Sequence, residues 1–220
     1  MGAKTIASSS NHVFTFAIFI LLAISSITLA YDDNSKYTSD TLSNSTKTNE
    51  NETNTEFTTY ITKSCNSTTY PSICHKSLSR YASKIEADPV KLCNIALSVA
   101  LKAAHNASAT ISKHLKSGDT NLSTTVEKVL QDCSSNFEES IEQLQDSIDA
   151  MKNLDGVSDK EFQISNIKTW VSSAITNDQT CYDEFDEMNV DTTLRDQIRS
   201  RVLNVVMKTS NALYFINHTY

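Results

Sequence analysis

The chain has 220 residues, only 3 glycines and 2 prolines, and a formal net charge of −7 at pH 7. Glycine and proline fall far below their usual shares of roughly 7% and 5%, which excludes the turn-rich β-sandwich and α/β designs and leaves a few long helices. The acidic balance argues against nucleic acid or an anionic membrane as partner; such a protein is drawn to a basic protein and repelled by an acidic polysaccharide.

Residues 1–30 read as a targeting segment. Lys4 gives a weakly basic start, Val13–Ile24 is an apolar run, and Thr28-Leu29-Ala30 supplies small residues at a cleavage point. The run is short for a bilayer span, so a signal peptide cut after Ala30 is expected rather than an anchor. No other apolar stretch spans a bilayer, so the mature protein is expected to be soluble and secreted. Six N-x-S/T sequons, at Asn44, Asn51, Asn66, Asn106, Asn121 and Asn217, agree with secretion; Asn217, three residues from the end, is the poorest acceptor.

Residues 31–56 are mostly Ser, Thr, Asn and Asp. Such a segment buries too little surface to offset its ordering entropy, so a disordered linker is expected, followed by a folded domain over residues 57–220. Phe57–Lys63 and Pro71–Tyr81 read as two short helices. The pair Cys65 and Cys74, with eight residues between, closes a tight hairpin worth roughly 3 kcal/mol if bridged. Cys93, Cys133 and Cys181 remain, and an odd count leaves at least one thiol free or paired between chains. Spacing does not choose among these three; a Cys133–Cys181 link would be worth roughly 4 kcal/mol on the same chain-entropy account. No C-x2-C and no Cys/His pair at ligand spacing supports zinc, so no metal and no cofactor is expected.

Four long amphipathic helices follow. The first opens at Asp88-Pro89, an N-cap followed by proline at the first helical position. Its apolar stripe is Val90, Cys93, Leu97, Ala100, Ala104, Ala107, Ile111 and Leu115, and Gly118 ends it. The second covers about 122–153, with Val126, Val129, Cys133, Phe137, Ile141, Leu144, Ile148 and Met151 on one stripe. The third, about 160–188, carries Ile164, Ile167, Trp170, Val171, Ala174, Ile175 and Phe185. The fourth, about 193–216, carries Leu194, Ile198, Val202, Val205 and Leu213. Short connections make neighbours antiparallel, so the expected fold is an all-α, up-down-up-down four-helix bundle with an N-terminal helical hairpin.

Catalytic signatures are missing. Three glycines make no phosphate-cradling loop, and neither G-x-S-x-G nor H-E-x-x-H occurs. His105 and His114 share a helix but lie two and a half turns apart, on opposite faces. Cys93 sits on a core stripe and reads as a buried, inert thiol. The acids Glu138, Glu139, Glu142, Asp146 and Asp149 lie opposite the apolar stripe of the second helix, while Asp183, Glu184, Asp186 and Glu187 close the third. Paired acids can hydrolyse glycosides, but on a convex bundle surface they read as a solvated or binding face. No enzyme activity is expected.

Three stretches resemble the plant invertase and pectin methylesterase inhibitor family. Cys65-Asn66-Ser67-Thr68-Thr69-Tyr70-Pro71-Ser72-Ile73-Cys74 is similar to its C-x-x-T-x-Y-P-x-x-C hairpin. Val129-Leu130-Gln131-Asp132-Cys133-Ser134-Ser135-Asn136-Phe137 is similar to its L-x-D-C-x-x-x-Y/F helix. Thr169-Trp170-Val171-Ser172-Ser173-Ala174-Ile175-Thr176-Asn177-Asp178-Gln179-Thr180-Cys181 is similar to its W-x-S-A-A-L-T-x-x-x-T-C stretch. The resemblance spans about 58–216, in order. It implies bridges Cys65–Cys74 and Cys133–Cys181 with Cys93 free, and a secreted, cell-wall (apoplastic) protein that binds one target enzyme one to one and covers its active-site cleft. It also implies the stand-alone form, since the chain ends at Tyr220.

Pectin methylesterase is the expected target. The positions that correspond to the family's esterase contacts are Glu139, Glu142, Thr180 and Asp183. Acid invertase is the alternative: its inhibitors tend to carry Pro-Lys-Phe between the second and third helices, where this chain has Lys160-Glu161-Phe162 preceded by Asp159 and so lacks the proline. A non-inhibitory wall protein of the same fold is the remaining alternative. The interval around residues 152–163 is longer than the family pattern and is a candidate for a different contact loop.

Overall fold

In the computed structural model, residues 47–116, 123–186 and 191–220 are described, and among them every regular element is helical. The signal-peptide reading, the tail before residue 47 and the sequons at Asn44 and Asn121 lie outside the described residues. Helix α1 is Lys47–Asn66, α2 is Pro71–Leu78, a 3-10 turn covers Ser79–Tyr81, and α3 is Ala82–Ile85. The long helices are α4, Pro89–Lys116; α5, Thr124–Lys152; α6, Lys160–Asp186; and α7, Thr192–Thr219, with a second 3-10 turn at Leu154–Gly156.

Helix starts follow from local chemistry. Asp88 Oδ1 accepts from the amides of Val90 (2.7 Å) and Lys91 (2.9 Å), and Ser123 Oγ from that of Val126 (3.3 Å). Asp159 Oδ1 accepts from the Phe162 amide (3.0 Å), and Asp191 Oδ1 from those of Thr193 (2.9 Å) and Leu194 (3.2 Å). Each cap satisfies donors that the helix itself leaves open and is worth about 1 kcal/mol. Between α3 and α4 the chain reverses through Glu86 and Ala87, at φ 54° and 56°. This left-handed backbone costs a residue with a Cβ roughly 1–2 kcal/mol, and no glycine is present to relieve it.

Helix α1 begins ten residues before the hairpin expected from the sequence and runs past Lys63. Its threonine hydroxyls are satisfied within the helix: Thr58, Thr59 and Thr62 donate to the carbonyls of Asn54, Thr55 and Thr58, all at 2.8–2.9 Å. A hydroxyl satisfied on its own helix does not compete for solvent-exposed turns. Composition registers the polarity of this segment but not that pattern.

The long helices pack in a ring: α4 against α5 and α7, and α6 against α5 and α7. Direction follows from the cross-links. Along α5, Cys133, Glu139 and Gln143 meet Cys181, Asn177 and Ser173 in turn, so α6 runs antiparallel to it. Cys93 near the start of α4 meets Thr219 at the end of α7, 3.4 Å away. The core is continuous through the ring, with Leu97, Phe137, Leu144, Ile167, Val171, Val202 and Phe185 essentially without solvent exposure. Each such side chain contributes roughly 1.5–3 kcal/mol by leaving water. Val90, expected on the first stripe, is instead 40% exposed; Leu92, Ala96, Val99 and Ala103 widen the stripe and take its place. A single-file reading of spacing misses that width, because a helix inside a bundle buries more than one narrow seam.

Candidate target-binding face

Both bridges form as the resemblance implies, Cys65–Cys74 and Cys133–Cys181, and Cys93 is free and buried. Burial pushes the Cys93 thiol up to about 11, opposed in part by its contact with the Thr219 hydroxyl. At neutral pH it stays a thiol, and a thiol is a poor nucleophile. Among the described residues no group of three or more His, Cys, Asp and Glu is placed to hold a metal ion.

The outward face of α5 and α6 carries the residues singled out in the sequence. Glu139, Glu142, Thr180 and Asp183 are all exposed. The antiparallel register puts Glu139 and Thr180 on opposite banks of the α5–α6 groove. Glu142 and Asp183 lie farther apart along the face, by roughly three turns in the register that Cys133–Cys181 and Glu139–Asn177 set. The structure therefore assembles one face that contains all four, but not one compact cluster.

A polar ladder joins the two banks, and sequence reasoning missed it. The Asn177 side-chain amide donates to Glu139 Oε2 (3.2 Å) and to Gln143 Oε1 (3.4 Å), while Gln143 Nε2 donates to Ser173 Oγ (2.9 Å). Asn177 thus fixes the Glu139 carboxylate in place and leaves its other oxygen to an incoming donor. The pairing signal was latent in the cysteines: once Cys133 joins Cys181, antiparallel counting brings Glu139 and Gln143 to within two residues of Asn177 and Ser173.

Two more acids lie along the same contact. Beside the bridge, burial first and the nearby Asp132 charge second raise the pKa of Glu184. Inside the bundle, Asp178 has no solvent exposure, and neither of its carboxylate oxygens finds a hydrogen-bond partner. Burial pushes this carboxyl up to about 7; the Ser140 hydroxyl opposes the shift without reaching hydrogen-bond geometry. At the end of the bundle, Lys160-Glu161-Phe162 opens α6. Phe162 is 63% exposed, and Val90 and Tyr220, the other large apolar residues exposed among those described, lie at helix termini of the same end.

A disulfide-stapled helical hairpin docked on a four-helix bundle, with an acidic and hydroxyl-bearing face held in register by a second bridge, defines a class of helical-bundle domain. Known proteins share it. Residues 59–215 match the family described as plant invertase/pectin methylesterase inhibitor. The chain is 37% identical over 161 residues to the 21 kDa protein of Daucus carota, covering 72% of this chain and 82% of that one. It is 40% identical over 172 residues to Pectinesterase inhibitor 10 of Arabidopsis thaliana, covering 77% of this chain and 53% of that one. Pectinesterase inhibitor 4 of the same plant is 35% identical over 162 residues, 73% of this chain and 81% of that one. The crystal structure of mutant form A of a pectin methylesterase inhibitor from Arabidopsis shares the fold, with a TM-score of 0.56 at 16% identity over 70% of this chain and 92% of that one. The chain belongs to the plant invertase/pectin methylesterase inhibitor family.

Proposed function

We propose that this protein inhibits a pectin methylesterase by binding it one to one through the α5–α6 face and covering its active-site cleft. The observation that carries the reading is the Glu139 carboxylate, hydrogen-bonded by Asn177 across the α5–α6 contact that Cys133–Cys181 locks, on the face that also exposes Thr180. Such acceptors, already ordered before binding, favour a target that presents cations or hydroxyl donors. Relatives named pectinesterase inhibitors support that choice of target. The protein acts without a cofactor or catalytic group of its own, and does so outside the cell, in the wall, after loss of residues 1–30. Asn66 and Asn106 are exposed and open to glycosylation.

The test titrates a plant pectin methylesterase and an acid invertase, separately, with the purified secreted protein. Esterase activity is expected to fall to a plateau near one equivalent while invertase is unaffected. Replacing Glu139, Glu142 and Asp183 together by alanine should weaken inhibition at least tenfold, with an unchanged circular dichroism spectrum. Retention of full inhibition by that variant would remove the α5–α6 face from the mechanism. A second reading, inhibition of acid invertase, is favoured by the 63% exposure of Phe162 at the start of α6. It predicts loss of invertase activity instead, abolished by Glu161→Ala with Phe162→Ala.

A further inference from the structure

The sequons divide the surface of the molecule. Of those on described residues, Asn51 and Asn66 belong to α1, Asn106 to α4 and Asn217 to α7. Asn66, Asn106 and Asn217 are exposed. The hairpin that carries Asn66 packs through α2 on α4 and α7. Asn106 stands on the α7 side of α4. Thr110, one turn further on and so on the same face, donates its hydroxyl to the Asn106 carbonyl (2.9 Å) and lines a groove with Ser200 and Asn204 of α7. Helices α5 and α6 hold asparagines too, Asn136, Asn166 and Asn177. None is a sequon, because Glu138, Lys168 and Gln179 stand where Ser or Thr is required.

The ring of helices sets the two groups apart. Helix α4 packs on α5 and α7, and α6 on the same two, so the α4–α7 side lies across the core from the α5–α6 side. Size then decides which side suits a protein partner. A specific interface takes about 800 Å² from each protein. Helices α5 and α6, of 29 and 27 residues, are about 40 Å long and together roughly 20 Å wide, which supplies that area. On α4, Pro89–Lys116, Asn106 stands about 25 Å from the start and about 15 Å from the end. A glycan there is bulky and strongly hydrated. It leaves no uninterrupted patch of the same size along α4 and α7.

We propose that N-linked glycans on Asn66 and Asn106 cover the hairpin and the α4–α7 side of this protein, so that its target enzyme docks across the glycan-free α5–α6 side with α4 pointing away. The docking half of this statement rests on the esterase reading; the glycan half rests on the sequons and their exposure. The donor is an oligosaccharide carried on a polyprenyl diphosphate in the secretory pathway. Nδ2 of each asparagine forms a bond to the anomeric carbon of the oligosaccharide, and the bond from that carbon to the diphosphate oxygen breaks. The amide nitrogen gives up one of its two protons, and the polyprenyl diphosphate leaves. The side chain keeps one N–H and no charge changes on the protein, so the glycans act on docking through bulk and hydration alone.

The experiment uses the full-length protein as secreted by plant cells. Mass spectrometry of its peptides, before and after enzymatic removal of N-glycans, is expected to find sugar at Asn66 and Asn106. Asn66→Gln with Asn106→Gln should leave the titration of pectin methylesterase unchanged. Lys168→Thr makes a sequon of Asn166, seven residues before Ser173 and so on the side of α6 that meets α5. Glu138→Thr does the same for Asn136 on α5. Each is compared with valine at the same position, which has the shape of threonine and makes no sequon. The form carrying sugar at Asn166 or Asn136 should inhibit at least about tenfold more weakly than its valine control. Bare Asn66 and Asn106 in the secreted protein overturn the proposal. So does undiminished inhibition with sugar at Asn166 or Asn136, or a gain of about tenfold in the double glutamine variant, which would put the α4 side in the contact. An unmodified protein that leaves the esterase active sinks the inhibitor reading and the docking half with it. The peptides still report sugar at Asn66 and Asn106, so the two failures are told apart.

Discussion

The α5–α6 contact and the hairpin–α7 contact solve one problem, fixing two elements in register, by different means. Between α5 and α6 the disulfide Cys133–Cys181 crosses the contact itself, and buried side chains such as Phe137 and Phe185 fill the space beneath it. At the hairpin the disulfide Cys65–Cys74 ties α2 to α1, while buried Ile61, Leu78 and Ile85 pack into the bundle core and Asn211 adds two hydrogen bonds to Tyr70. The charges differ too. The first contact faces outward with carboxylates, some braced by amides; the second carries Lys76 and Lys208, and Arg80 stacked over the Tyr81 ring, 5.2 Å from its centroid. A covalent lock across the contact suits a face that must keep its acceptors in place for a large partner, whereas the hairpin is held by apolar packing and a polar pair.

The largest expected effect is on the bridges. Replacing Cys133 and Cys181 by alanine should lower unfolding free energy by about 4 kcal/mol, and replacing Cys65 and Cys74 by about 3 kcal/mol, because the closed loops differ in length, 48 residues against 9. Urea unfolding followed by circular dichroism measures both, and equal losses would erase the distinction drawn between the two contacts.

Next comes the buried acid of the α5–α6 contact. The folded-state pKa of Asp178, about 7, lies above its unfolded value of about 3.9, so the folded chain holds the proton more tightly. Stability is then greatest below about pH 4 as far as this group is concerned, and falls as pH rises towards 7. Asp178→Asn removes that slope and should stabilise the protein at pH 7.5 by on the order of 2–4 kcal/mol, with little change at pH 4. Thermal midpoints across the pH range measure this, and a variant with the same slope as the parent would exclude Asp178 as its source.

The smallest effect sharpens the comparison most. Asn211→Ala leaves the Tyr70 amide and carbonyl without their partner and should cost about 1–3 kcal/mol. Hydrogen exchange should quicken in α2 and not in α5 or α6. Uniform quickening would mean that the hairpin and the bundle open as one unit.

Much of this was written in the chain. Scarcity of glycine and proline, the cap at Asp88, the glycines at Gly118 and Gly156, and apolar spacing of three and four gave four helices with ends close to those observed, because these signals act within one or two turns. The cysteine count gave one spare thiol, and family motifs named it as Cys93. Other features needed two elements at once. Nothing near Asp178 in sequence marks it as buried; only the packing of α6 on α5 closes it off from water. Asn177 reads as one more polar helix residue until Glu139 arrives from another helix. Local backbone preferences and periodicity set the elements, since their energies are decided between neighbours in the chain. Burial, charge pairing and surface character depend on distances between elements, and only the tertiary structure sets those.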